Sequence, residues 1–129
     1  MKMRYPMSVE MVNEYGAHAV RVAIAEHEAM LDAAEVDGLI EELGKIRAHM
    51  QPAVATQPSR THQYLLEIDP CWYIERNPLF DGIVLFLRHT GFGWTGFAIP
   101  TESLARMKEA IASSEPDMAM SVHAHALPN

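Results

Sequence analysis

DGIVLFLRHTGFGWTGFAIPTESLARMKEAI, Asp81 to Ile111, reads as strand, tight turn, strand and helix, and this reading decides the fold class. Ile83 to Leu87 is an apolar, β-branched and aromatic run of strand length. His89 to Gly93 places two glycines where the chain must reverse, and Trp94 to Ile99 alternates until Pro100 and Thr101 close it. Thr101 is then a fitting N-cap, with Glu102 in the first helical turn and Leu104, Met107, Lys108 and Ile111 at helical spacing. Within the first strand, Val84 and Phe86 point away from Ile83, Leu85 and Leu87, so both faces need cover. That cover comes from the N-terminal segment and tail or from a second copy of the chain.

Upstream, His62 to Asp69 reads as a strand with Tyr64, Leu66 and Ile68 inward; Pro70 breaks it, and Trp72 to Glu75 continues it past a bend. Gln51 to Arg60, with two prolines and no periodicity, is an extended connector. Before it lies the clearest helix of the chain, over 33–49. Asp32 and Glu35 have capping-box spacing, Val36, Leu39, Ile40, Leu43, Ile46 and Met50 keep to one face, and Glu41 stands four residues before Lys45. His18 to Ala25 alternates as a half-buried strand and leads into an acidic turn, Glu26-His27-Glu28. Ser8 to Tyr15 reads as a short N-terminal helix stopped by Gly16, and the chain beyond Ser114 as a loose C-terminal tail.

The expected fold is therefore α+β: one antiparallel four-stranded sheet, near 18–25, 62–69, 82–89 and 94–99, with helices 33–49 and 101–112 on one face. The element order is β-α-β-β-β-α in a single domain over 1–129, made of an N-terminal segment (1–17), a core (18–112) and a tail (113–129). Both halves carry a strand, a cap and an amphipathic helix, but two occurrences are too few to define a repeat, and the echo is read as coincidence of architecture.

Composition narrows the function. At 129 residues, 49% hydrophobic and 21% charged, the chain has the make-up of a globular protein with one core. No apolar run approaches the roughly 18 residues of a membrane span. Pro6 and Glu10 interrupt any secretory signal, so the expected compartment is cytoplasmic. Cys71 is the only cysteine, which excludes an intramolecular disulfide. A net charge of −7 disfavours a surface that tracks phosphates, although Arg60, Arg76, Arg88, Arg106 and Lys108 gather in the second half.

Motifs of chemistry are few. His123 and His125, two apart, would point the same way on a strand, but no further zinc ligand stands at a matching spacing, so no metal is expected. Cys71, between Pro70 and Trp72, has His62, His89, Glu67 and Asp69 nearby in sequence yet lies in an apolar stretch, and is read as a packing residue. Gly91, Gly93 and Gly96 sit inside a hairpin with no helix opening on the third, so they serve turn geometry and a thin spot at Gly96 rather than a phosphate. With no nucleophile, acid/base pair or metal set at a suitable spacing, neither a catalytic residue nor a cofactor is expected, and the chain is read as a non-enzyme.

Phe92 and Trp94 form a candidate stacking platform, with Arg88 and Arg106 the nearest charges in sequence. The strand and helix in GFAIPTESLARMKEAI are similar, in local topology, to the C-terminal portion of the PC4-like transcriptional coactivators, which bind single-stranded DNA across a curved sheet. The resemblance implies an alternative reading as a single-stranded nucleic-acid-binding protein through Phe92 and Trp94. That family's run of strand lysines is absent here. The order helix, three strands, helix also resembles the double-stranded-RNA-binding domain, but Thr101-Glu102-Ser103 stands in place of its lysine-rich helix start. The favoured expectation is a small acidic interaction protein, of the inhibitor, immunity or antitoxin kind, that blocks a basic surface of another protein. Its candidate contacts are Glu35, Asp37, Glu41 and Glu42 on helix 33–49, and Phe92 and Trp94 on the hairpin. The chain is also expected to form a homo-oligomer, with nucleic acid the less favoured partner and no membrane involved.

Overall fold

A computed structural model describes residues 6–76 and 78–114. The chain divides into two compact units, Met1–Leu66 and Glu67–Asn129. The α+β class holds, but the single four-stranded sheet does not: each unit has its own three-stranded antiparallel sheet followed by its own helix. The element order is thus β-β-β-α twice.

In the first unit β1 (Met7–Glu14), β2 (Ala17–Ile24) and β3 (His27–Leu31) pair in sequence order. Residues 8–15, expected as a short helix, are strand and turn. Met7, Val9 and Met11 lie opposite Ile24, Val22 and Val20, and Ala29 and Leu31 extend the row, so period-two alternation builds one apolar face. On the other face Glu10 and Arg21 pair across the strands. Tyr15 and Gly16 make a two-residue turn with φ of 52° and 82°, so Gly16 reverses a hairpin here instead of stopping a helix. The expected acidic turn shortens to Ala25 and Glu26, and His27 and Glu28 enter β3.

Asp32 then opens α1 (Ala33–Arg47) with a complete capping box: its carboxylate accepts from Glu35 N–H at 2.9 Å while Glu35 Oε1 accepts from Asp32 N–H at 3.1 Å. Lys45 and Glu41 are 3.6 Å apart, the ion pair that their spacing predicts. The helix touches β2 and β3.

The second unit holds β4 (Trp72–Glu75), β5 (Gly82–His89), β6 (Gly93–Pro100) and α2 (Thr101–Ser114), with sheet order β4-β5-β6 and α2 against β5 and β6. The strand expected at 62–69 is absent, and the expected order β-α-β-β-β-α fails with it. Asp69 takes φ 51° and Pro70 follows, so the backbone bends before it can pair, and Trp72–Glu75 takes the free edge of β5. Residues 93–100 and 101–114 agree closely with the strand and helix read from sequence. Their junction is tied back to the start of β5: Thr101 N–H donates to the Asp81 carbonyl at 3.2 Å, and its hydroxyl to Asp81 Oδ1 at 2.9 Å.

Neither unit encloses a fully buried side chain among the described residues. Val20, Val22, Leu31, Val36 and Ile40 are half-buried in the first, and Ile83, Leu85, Leu87, Ile99 and Leu104 in the second. Much apolar surface stays open, with Met7, Val9 and Met11 at 66%, 63% and 69% exposure.

Candidate functional site

The acidic residues singled out on α1 share a broad polar arc. At about 100° per residue the order around the helix is Asp37, Glu41, Lys45, Glu42, Glu35, so a lysine sits in the middle of the acids. Glu35 is committed to the capping box and Glu41 to Lys45. All four carboxylates are exposed, and Asp37 and Glu42 are the two not engaged within the helix.

The hairpin aromatics separate. Phe92 lies in the turn with its ring 4.5 Å from that of His89, tilted by 33°, and His89 Nδ1 accepts the N–H groups of Gly91 and Phe92 at 3.0 and 3.2 Å. His89 and Trp94 occupy neighbouring register positions, so their side chains leave opposite faces of the sheet. Phe92 and Trp94 therefore do not form one platform.

Trp94 belongs to a different group. Tyr73 is directly opposite Phe86, Phe86 is opposite Gly96, and Trp94 is opposite Arg88, which puts Tyr73, Glu75, Phe86, Arg88 and Trp94 on a single face. Gly96 is what opens this face. A Cβ there would stand 2.9 Å from Phe86 Cε1, so the Phe86 ring lies across the bare glycine backbone. Tyr73 and Phe86 ring centroids are 6.2 Å apart with planes inclined by 36°. Tyr73, Glu75, Phe86 and Trp94 together line a shallow hollow of about 360 Å³. Tyr73 and Trp94 are 57% and 55% exposed, whereas Glu75 and Phe86 are half-buried.

Other polar groups organise turns. Glu67 Oε1 accepts from the N–H and hydroxyl of Thr90 at 2.8 and 2.9 Å, and these bonds, the backbone one first, hold its carboxyl below the usual glutamate value. Lesser contributions come from the charges of His89 and Arg88. Cys71, expected to pack, is exposed; its carbonyl accepts from Arg88 N–H at 2.9 Å and extends the β4–β5 pairing by one residue. A second hollow, at the junction of α2 with β5, is lined by Asp81, Thr101, Leu104 and Lys108 among others. No group of three or more metal-ligating side chains occurs among the described residues, and His123 and His125 lie outside them.

Sequence reasoning singled out Trp94 and the thin spot at Gly96 but missed Tyr73, Glu75 and Phe86. The available signal was the period-two placement of Tyr73 and Glu75, and of Phe86 within its strand; what joins them is the cross-strand register. Comparison of the chain with protein-family profiles, curated proteins and solved structures finds no match.

Proposed function

We propose that the chain is a small acidic, non-enzymatic interaction module that occupies a basic surface of another protein, in the manner of an inhibitor, immunity protein or antitoxin. The observation that carries this reading is the sheet face that bears the exposed rings of Tyr73 and Trp94 beside the half-buried Phe86 and Glu75. Aromatic side chains offer much contact area at little conformational cost, and interface energy concentrates on such residues. The carboxylate and the net charge of −7 favour a cationic counterpart, whose approach the long-range field speeds.

Between the two surfaces singled out in the sequence, the hairpin side is the stronger. Half of the α1 acids already have partners within the helix, so that face offers less unsatisfied charge to a second protein. The nucleic-acid alternative is weakened by the separation of Phe92 from Trp94 and by a carboxylate beside the remaining stack, which repels phosphate.

Affinity capture on the immobilised chain tests the reading. Trp94→Ala and Tyr73→Ala should each lose a captured basic protein, while Glu41→Lys combined with Glu42→Lys should retain it. Loss only in the charge-reversed helix would move the interface to α1; equal capture by every variant would reject both surfaces. The reading also has the chain self-associate, since the row Met7, Val9, Met11 and the far side of the second sheet, Trp72, Ile74 and Phe97, are apolar and exposed.

A further inference from the structure

We propose that the free edge of β1 is a pairing surface whose occupant is β1 of a second copy, antiparallel across a two-fold axis at Val9, so that two first sheets join into one; this rests on the self-association in the reading above and gives it a mode. The direction of the backbone carries the argument. Ala25 N–H donates to the Pro6 carbonyl at 3.3 Å, and these two residues continue the β1–β2 register, so Pro6 stands in a hydrogen-bonded pair. Such pairs alternate with non-bonded ones along an antiparallel ladder. Ser8, Glu10 and Val12 therefore turn their N–H and C=O groups to β2, whereas Met7, Val9 and Met11 turn theirs outward. β1 pairs with β2 alone, so this outer edge is open among the described residues. The side chains of the same three residues form the exposed apolar row.

The other strand edges are guarded. β3 is short and carries His27 and Glu28, β4 is shorter still, and β6 is interrupted by Gly93 and Gly96 and closed by Pro100. β1 runs Met7–Glu14 without proline, glycine or lysine, and its Glu10 is held by Arg21 on the face away from the apolar row.

The sequence of β1 selects both the occupant and the register. Under a two-fold axis normal to the sheet, only registers that set a residue opposite its own copy keep each row of side chains on one face. Centred on Val9, Met7 meets Met11 of the second copy, the apolar row continues unbroken, and Glu10 meets Ser8. Centred on Glu10, two like charges face each other and Met7 meets Asn13; centred on Met11, Val9 meets Asn13. A centre at Ser8 carries Met11 past the start of the second strand. Val9 also has both backbone groups turned outward, as a self-paired, hydrogen-bonded residue requires.

Two measurements on the full chain test the proposal. Val9→Pro removes an N–H that β2 does not use, stays apolar and suits an edge strand. Sedimentation equilibrium should drop from the dimer mass of wild type to that of one chain, with the circular dichroism of the fold retained. In a Cys71→Ser background, which removes the exposed native thiol, Val9→Cys should give a covalent dimer on oxidation, because self-paired Cα atoms stand about 5.5 Å apart. Met11→Cys alone, roughly 13 Å along the strand from its own copy, should not. Met7→Cys mixed with Met11→Cys should cross-link as Val9→Cys does. A dimer that survives Val9→Pro, or Met11→Cys alone cross-linking as readily as Val9→Cys, would overturn edge pairing and leave self-association through the apolar faces. Should Val9→Pro fail to fold, the cysteine pattern decides by itself. A monomeric wild type overturns both the edge and the self-association. Failure of the interaction-module reading is separable: the expected cross-links with no dependence of protein capture on Trp94 remove the module and leave the paired edge standing.

Discussion

Gly82 opens β5 at φ 130°, where a side chain would stand on the carbonyl oxygen of Ile99 in the neighbouring strand. Both the backbone angle and the backbone contact resist substitution, so Gly82→Ala should lower stability by about 3 kcal/mol or more in urea titration. Gly96 differs, because the obstacle is the Phe86 side chain rather than backbone. Gly96→Ala should cost roughly 1 kcal/mol and displace the ring, visible as shifted aromatic resonances of Phe86 and Tyr73. Glu67 supplies a pH-dependent contribution. Its folded-state value lies below the ordinary 4.5, so its stabilisation is present above that value and is lost as pH falls through the lowered one. The gap in melting temperature between wild type and Glu67→Gln should thus be widest above about pH 5 and close in acid. A gap that widened in acid would contradict the Thr90 bonds as its source.

Among the elements, α1 and α2 were legible because each joins a start signal to an apolar stripe that no strand could use. Asp32 and Glu35 close the capping box that their spacing implied, and Asp32→Ala should cost about 1 kcal/mol, measured as lost stability with reduced helical ellipticity. β1 was misread because Val9, Met11, Val12 and Tyr15 satisfy helical spacing nearly as well as Met7, Val9 and Met11 satisfy alternation. The tie is broken by Gly16, which with Tyr15 forms a hairpin turn and gives β2 a partner. Residues 62–69 show the converse. Their alternation is genuine, yet the left-handed Asp69 and Pro70 bend the chain away before a pairing edge is reached.

At the scale of the molecule, two β-β-β-α units replace the single antiparallel four-stranded sheet expected, and neither encloses a core of its own among the described residues. Folded chains rarely leave this much contiguous apolar surface in water. We expect sedimentation equilibrium to give a mass above the 14.4 kDa of one chain. Replacing Val9 and Met11 by lysine should shift it to monomer, since charge in that row prevents burial. A wild-type monomer at millimolar concentration would refute the self-association. No helix among the described residues is long and apolar enough to cross a membrane.

The α+β class, both helices with their starts near Asp32 and Thr101, the strands near 82–89 and 94–99 and the thin spot at Gly96 were determined by the sequence alone. Each rests on signals carried by residues close together in the chain: periodicity, a cap, a glycine turn. The partition of the six strands among the described residues into two sheets, and the placing of Tyr73, Glu75 and Phe86 on one face with Trp94, were decided only in three dimensions. Those outcomes depend on which edge pairs with which and in what register, and a one-residue slip would send every side chain of a strand to the opposite face.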